Sequence, residues 1–128
     1  MTSRELALEL AKVLSDKKAI DITLINIAEK SSFADYFVNA TAGSERQLGT
    51  LANEVEDKMA ELGFIPKSSE GRPETGWILV DGGDVVINIF TRDVRDRYSL
   101  DKIWSDCDNE TYEEEIIRVL KLKEGDRR

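Results

Sequence analysis

The sequence predicts an α/β architecture of the α+β kind, a five-stranded β-sheet flanked by helices. Three observations carry this. Leu48, Leu51, Ala52, Val55, Met59 and Leu62 recur at helical spacing and form one apolar stripe. The β-branched run Ile20 to Ile27 and the run Asp35 to Thr41 alternate as strands do, and the link between them is too short for a crossover helix. Finally, Asp81-Gly82-Gly83-Asp84 separates two further strand-like runs, Trp77 to Val80 and Val85 to Phe90, with the glycines that a hairpin turn requires.

Taken in order, Thr2 and Glu5 have capping-box spacing and open a helix over 3–17, whose apolar face is Leu6, Leu10, Val13 and Leu14. The strand at Ile20 to Ile27 ends at Lys30-Ser31-Ser32, and its pairing with Asp35 to Thr41 is expected to be antiparallel. Ser44 is the expected N-cap of the second helix, with Gln47 placed for the reciprocal bond, and Gly63 and Pro66 end it. Phe64 to Lys67 supplies a short strand, and Ser68 to Gly76 has the composition of a surface loop. Val85, Ile87 and Ile89 on one side and Val86, Asn88 and Phe90 on the other make an inner strand covered on both faces, in which Asn88 needs hydrogen-bond partners. An Arg-rich bend, Thr91 to Tyr98, precedes Leu100, Ile103 and Trp104 at helical spacing. After an acidic loop at 106–110, Thr111 and Glu114 open a last amphipathic helix over 111–122.

At 128 residues the chain has the size of one domain, 1–128, with its core in 3–107. Its net charge of -8 disfavours non-specific nucleic-acid binding and favours a basic protein partner, while also keeping the chain soluble. There is no histidine and only one cysteine, Cys107, which removes intramolecular disulfides, Cys/His zinc sites and His-dependent triads. No apolar run is long enough to span a membrane and the first residues lack a leader pattern, so the expectation is a cytoplasmic protein.

Two features invite a chemical reading. Gly43-Ser44 at a helix mouth suits a phosphate as well as an ordinary cap, and the cap is the simpler account. Asp81 and Asp84 would meet at the hairpin tip, where two acids more often bind turn N–H groups than a metal. No Asp-x-Asp pair follows Ser44 on the next strand, as a metal-dependent nucleotide-transfer enzyme would need. As an interface, the same region offers Trp77, Tyr98, Trp104 and Arg95 as anchors. Trp104, on an apolar helical face, fits the core better; Trp77, at a strand start beside a loop, fits an interface.

From the first helix to about Cys107 the chain resembles the ribosomal silencing factor, or Iojap-like, family. The matching residues are Ala34 to Val38, the helix start Ser44 to Gln47, Glu70-Gly71, Trp77, the turn and strand Val80 to Val86, and Arg95, Tyr98, Leu100, Asp101, Ile103 and Trp104. The resemblance implies a mixed sheet of nucleotidyltransferase-like topology without catalytic acids or a cofactor. It also implies a bacterial factor that docks on the large ribosomal subunit through the basic ribosomal protein L-fourteen and keeps the small subunit from joining. Trp77, Asp81, Gly83, Asp84, Arg95, Tyr98 and Trp104 are then the expected partner contacts. Three positions depart from the family pattern: Gly82 for a bulky residue, Asn88 for a histidine and Arg97 for an apolar aromatic. The alternatives are a small nucleotide- or metal-dependent transferase using Ser44 and Asp81/Asp84, and a self-associating protein that is a homodimer when free.

Overall fold

The structure is a computed structural model, and residues 1–113 are described. Helix α1 (Ser3–Asp16) starts where the Thr2 hydroxyl accepts from the Glu5 N–H at 3.1 Å, and buries Leu6, Ala7, Leu10, Ala11 and Leu14. Strands β1 (Ile20–Asn26) and β2 (Tyr36–Ala42) pair antiparallel, with an irregularity between Ile20 and Thr23 where Asp21 takes a positive φ of 49°. Helix α2 (Glu45–Glu61) begins at Ser44, whose hydroxyl accepts from the Gln47 N–H at 3.1 Å. The Gln47 side chain accepts from the Gly43 N–H and donates to the carbonyls of Lys17 and Lys18, tying the start of α2 to the end of α1. These bonds account for Ser44 as a helix cap.

The chain returns as β3 (Ser68–Arg72), a single 3-10 turn at Pro73–Thr75, β4 (Trp77–Asp81) and β5 (Val85–Thr91). Two short helices, α3 (Arg92–Arg97) and α4 (Leu100–Ile103), and strand β6 (Asp108–Thr111) follow. The sheet is six-stranded, in the order β3-β4-β5-β2-β1-β6. Among the described residues only the central β2–β5 pair is parallel, so the sheet is mixed.

Two strands differ from expectation. Phe64 to Lys67 is not a strand; the strand is Ser68–Arg72, inside the expected loop, and all five of its residues are exposed. An edge strand with no covered face needs no apolar alternation, because its backbone bonds to β4 hold it. The acidic segment at 106–110 likewise supplies β6, which pairs with β1 at the opposite edge. The expected helix over 111–122 lies almost wholly outside the described residues.

The sheet has two unlike faces. On one, α1 and α2 lay Leu10, Leu14, Leu48, Leu51, Val55 and Met59 against Leu24, Val38, Val80, Ile87 and Ile89 in one dry cluster. The other face carries a smaller cluster of Ile25, Ile27, Phe37 and Val86, with Trp104 and Cys107 against it, and a third of Phe90, Val94 and Leu100. Among the described residues, short α3 and α4 cover only part of that face, which leaves its β3–β4 side open.

Candidate functional site

The open face is assembled from strand periodicity: in the observed register Trp77 lies opposite Phe90, and Leu79 opposite Asn88. Asn88 in turn stands beside Asn39 across the parallel pair. A polar ladder results. The Trp77 Nε1–H donates to Asn88 Oδ1 at 3.2 Å, and Asn88 Nδ2 donates to Asn39 Oδ1 at 3.1 Å. Burial of Asn88 is thus matched by partners on both of its amide atoms, as a buried polar side chain requires. The Trp77 ring also packs on Phe90, centroids 5.2 Å apart and planes tilted by 53°. The indole is held along its edge and one flank, yet the residue stays 36% exposed.

At the hairpin tip the turn chemistry accounts for the Asp81 carboxylate, while Asp84 acts through its backbone carbonyl. Asp81 Oδ1 accepts from the Gly83 N–H at 2.8 Å, and Gly83 adopts a positive φ of 90°, where a side chain would be strained. The Asp84 carbonyl accepts from the N–H groups of Asp35 and Tyr36, which locks the tip to the start of β2. Among the described residues no cluster of three or more His, Cys, Asp or Glu side chains is placed to hold a metal. At Gly82 an added Cβ would lie 2.6 Å from Met59 Cε and 2.8 Å from the Val85 carbonyl oxygen. Met59 of α2 therefore fills the space that a bulky residue at 82 would take.

Arg95 is not at the surface. Only 4% exposed, it donates to the Asp21 carbonyl at 2.7 Å, to Thr41 Oγ1 at 2.9 Å and to both carboxylate oxygens of Asp101. Its guanidinium carbon sits 5.9 Å from the Phe90 ring centroid. The expectation of Arg95 as a contact residue is corrected here: its donors are used inside, clamping α3 and α4 onto β1 and β2. Three aligned donors and a flat cation suit this task better than a lysine would. Trp104 is half-buried, edge-on to Phe37 at 5.0 Å, so it belongs chiefly to packing. Arg97 pairs with Asp93 one turn earlier, on the surface. Tyr98 is 60% exposed and stands beside the open face.

The structure thus brings Trp77 and Tyr98 together, along a groove of about 500 Å³ that Glu70, Gly71, Thr75, Leu79 and Val94 also line. Asp81, Gly83 and Asp84 sit at the far end of the hairpin, and Arg95 lies beneath. Sequence reasoning missed both Leu79 and Glu70 as groove residues: the alternation of Leu79 with Trp77 was the signal for the first, and Glu70 has none, because its segment reads as loop. Asn39 gave no signal of its own. Near the other edge, Lys30 bonds Asp106, which pushes the Lys30 pKa up and the Asp106 pKa down, and desolvation holds the Cys107 thiol above its ordinary value. Among the described residues no helix is long and apolar enough to cross a membrane.

A family model described as "Ribosomal silencing factor during starvation" matches residues 1–127. The chain belongs to the ribosomal silencing factor family. It is 39% identical over 97 residues to the ribosomal silencing factor of Bacillus subtilis, covering 76% of this chain and 82% of that one. It is 33% identical over 101 residues to the chloroplastic protein Iojap of Arabidopsis thaliana, covering 79% of this chain and 42% of that longer protein. A crystal structure of a protein from Chromobacterium violaceum superposes with a TM-score of 0.79 at 34% identity, covering 82% of this chain and 88% of that one. By its name the family is one of ribosomal silencing factors, a regulatory rather than an enzymatic role.

Proposed function

We propose that this chain silences translation by docking the open face of its sheet on the large ribosomal subunit, through the basic ribosomal protein L-fourteen, where it blocks joining of the small subunit. The observation that supports this best is the aromatic groove at Trp77 and Tyr98, which no helix among the described residues covers, while α1 and α2 pack the other sheet face. The charge fits: Glu70 lines the groove, Asp81 and Asp84 stand at the hairpin tip, and the chain carries a net -8. Such a surface attracts a basic protein and repels bare phosphate. Trp77 and Tyr98 are the contact residues in this reading, Asp81 and Asp84 supply rim charge, Gly83 sets the turn, Arg95 positions α3, and Trp104 packs on Phe37 elsewhere on the same face. Silencing by occupancy needs no bond chemistry, and it is exercised in the cytoplasm, where subunits join.

The test is co-sedimentation with purified large subunits, paired with a subunit-joining assay. Trp77→Ala and Tyr98→Ala proteins, shown folded by circular dichroism, are expected to lose binding and to let subunits join. A folded Trp77→Ala protein that still sediments with large subunits contradicts the reading.

A further inference from the structure

The groove beside Trp77 has a chemistry more specific than an apolar contact. Two aromatic side chains, Trp77 and Tyr98, line it together with Leu79 and Val94, and a carboxylate, Glu70, stands among them. Glu70 has no ion-pair or hydrogen-bond partner among the described residues. Arg72, which faces Trp77 across the β3–β4 pair, is a nearby cation of the chain, yet it neither lines the groove nor pairs with Glu70. The close approach of the two strands is fixed by Gly71, where an added Cβ would lie 2.2 Å from the Trp77 carbonyl oxygen.

The indole is preset rather than mobile. Its N–H is committed to Asn88, whose own amide is committed to Asn39, and Phe90 backs the ring. With its only donor used internally, the indole has its π surface left to offer a ligand. Aromatic faces beside an unpaired carboxylate attract a cation and disfavour an anion. A guanidinium suits the site best, since its plane can lie on a ring while its N–H groups reach a carboxylate.

We propose that this groove is a binding site for an arginine side chain presented by a basic partner protein, stacked against Trp77 and Tyr98 and paired with Glu70. The assignment deepens the docking reading and rests on it for the source of the arginine, but the site itself is testable without ribosomes. The free chain is titrated with N-acetyl-arginine methylamide and with N-acetyl-citrulline methylamide, its uncharged near-isostere, while the two indole N–H signals are followed by NMR. The expected result is a saturable shift of the Trp77 signal, with Trp104 unmoved, at roughly millimolar arginine probe. Citrulline is expected to bind at least about tenfold more weakly. Glu70→Gln, at an exposed position, should weaken arginine severalfold toward the citrulline level, the stacking on the rings being kept, and leave citrulline unaffected. Equal shifts from the two probes, no saturable shift, or an unchanged arginine affinity in Glu70→Gln would overturn the assignment. Failure here with Trp77→Ala still losing large subunits leaves docking in place without an arginine in the groove. Conversely, probe binding with Trp77→Ala still sedimenting keeps the arginine site and removes docking.

Discussion

The two faces of the sheet are built from the same strands and do opposite work. Beneath α1 and α2, Leu24, Val38, Val80, Ile87 and Ile89 meet helix side chains in a dry layer that leaves nothing to bind with. One residue further along the same strands, Trp77, Asn88, Asn39 and Thr41 point the other way, into a layer of polar partners and partly covered rings. A face that satisfies all its groups internally supplies stability; a face that spends buried hydrogen bonds on orienting an exposed indole is prepared for a partner.

This contrast can be broken most strongly from the packed side. Leu51→Ala, at a fully buried position under α2, is expected to cost about 3 kcal/mol by denaturant titration and to lower subunit binding only through the unfolded fraction. Arg95→Met should cost about 2 kcal/mol, because it strands the buried Thr41 hydroxyl and the Asp21 carbonyl; the Asp101 pairing adds little, its carboxylate being mostly exposed. Hydrogen exchange in that variant should rise first in α3 and α4, with α1 and α2 unchanged. Tyr98→Ala, by contrast, should leave stability within about 0.5 kcal/mol of the parent while removing large-subunit binding, since nothing inside the fold depends on that ring.

The smallest effect belongs to the exposed Lys30–Asp106 pair. The bonded lysine lowers the Asp106 pKa, so that contribution is present above the unfolded carboxylate value and is lost as pH falls through the lower folded one. The raised Lys30 pKa acts in the opposite direction, its contribution being present below the unfolded lysine value and lost as pH climbs through the folded one. The bridge therefore persists through neutral pH. Lys30→Met should move the Asp106 carboxyl titration up toward the ordinary range, followed by carbon NMR, with no measurable change in melting temperature.

The legibility of the sequence follows the same division between faces. Helices α1 and α2 and strands β1, β2, β4 and β5 announce themselves because one or both of their faces are buried, and burial writes a period into the residues. Strands β3 and β6 lie at the two edges, polar on both faces, and nothing in Ser68–Arg72 or Asp108–Thr111 distinguishes a strand from a loop. In the candidate site, Trp77 and Tyr98 could be picked out as large aromatics beside turns. Arg95 could not be placed, because an arginine among aspartates reads as surface, and its burial depends on Asp21 and Thr41, far away in sequence. Asn88 was legible as a problem in need of partners; that the partners are Asn39 and the indole of Trp77 follows only from the parallel register of β2 and β5 and the antiparallel register of β4.

In the proposed docking the open face, and not the helical one, meets the large subunit. Hydrogen exchange of the chain, free and bound to purified large subunits, tests it directly. Docking as proposed protects the backbone of β3, the 3-10 turn at Pro73–Thr75, the first half of β4 and the α3 end at Tyr98, and leaves the outer surfaces of α1 and α2 as they are in the free chain. Protection concentrated on α1 and α2, with the Trp77 and Tyr98 segments unchanged, would contradict the account.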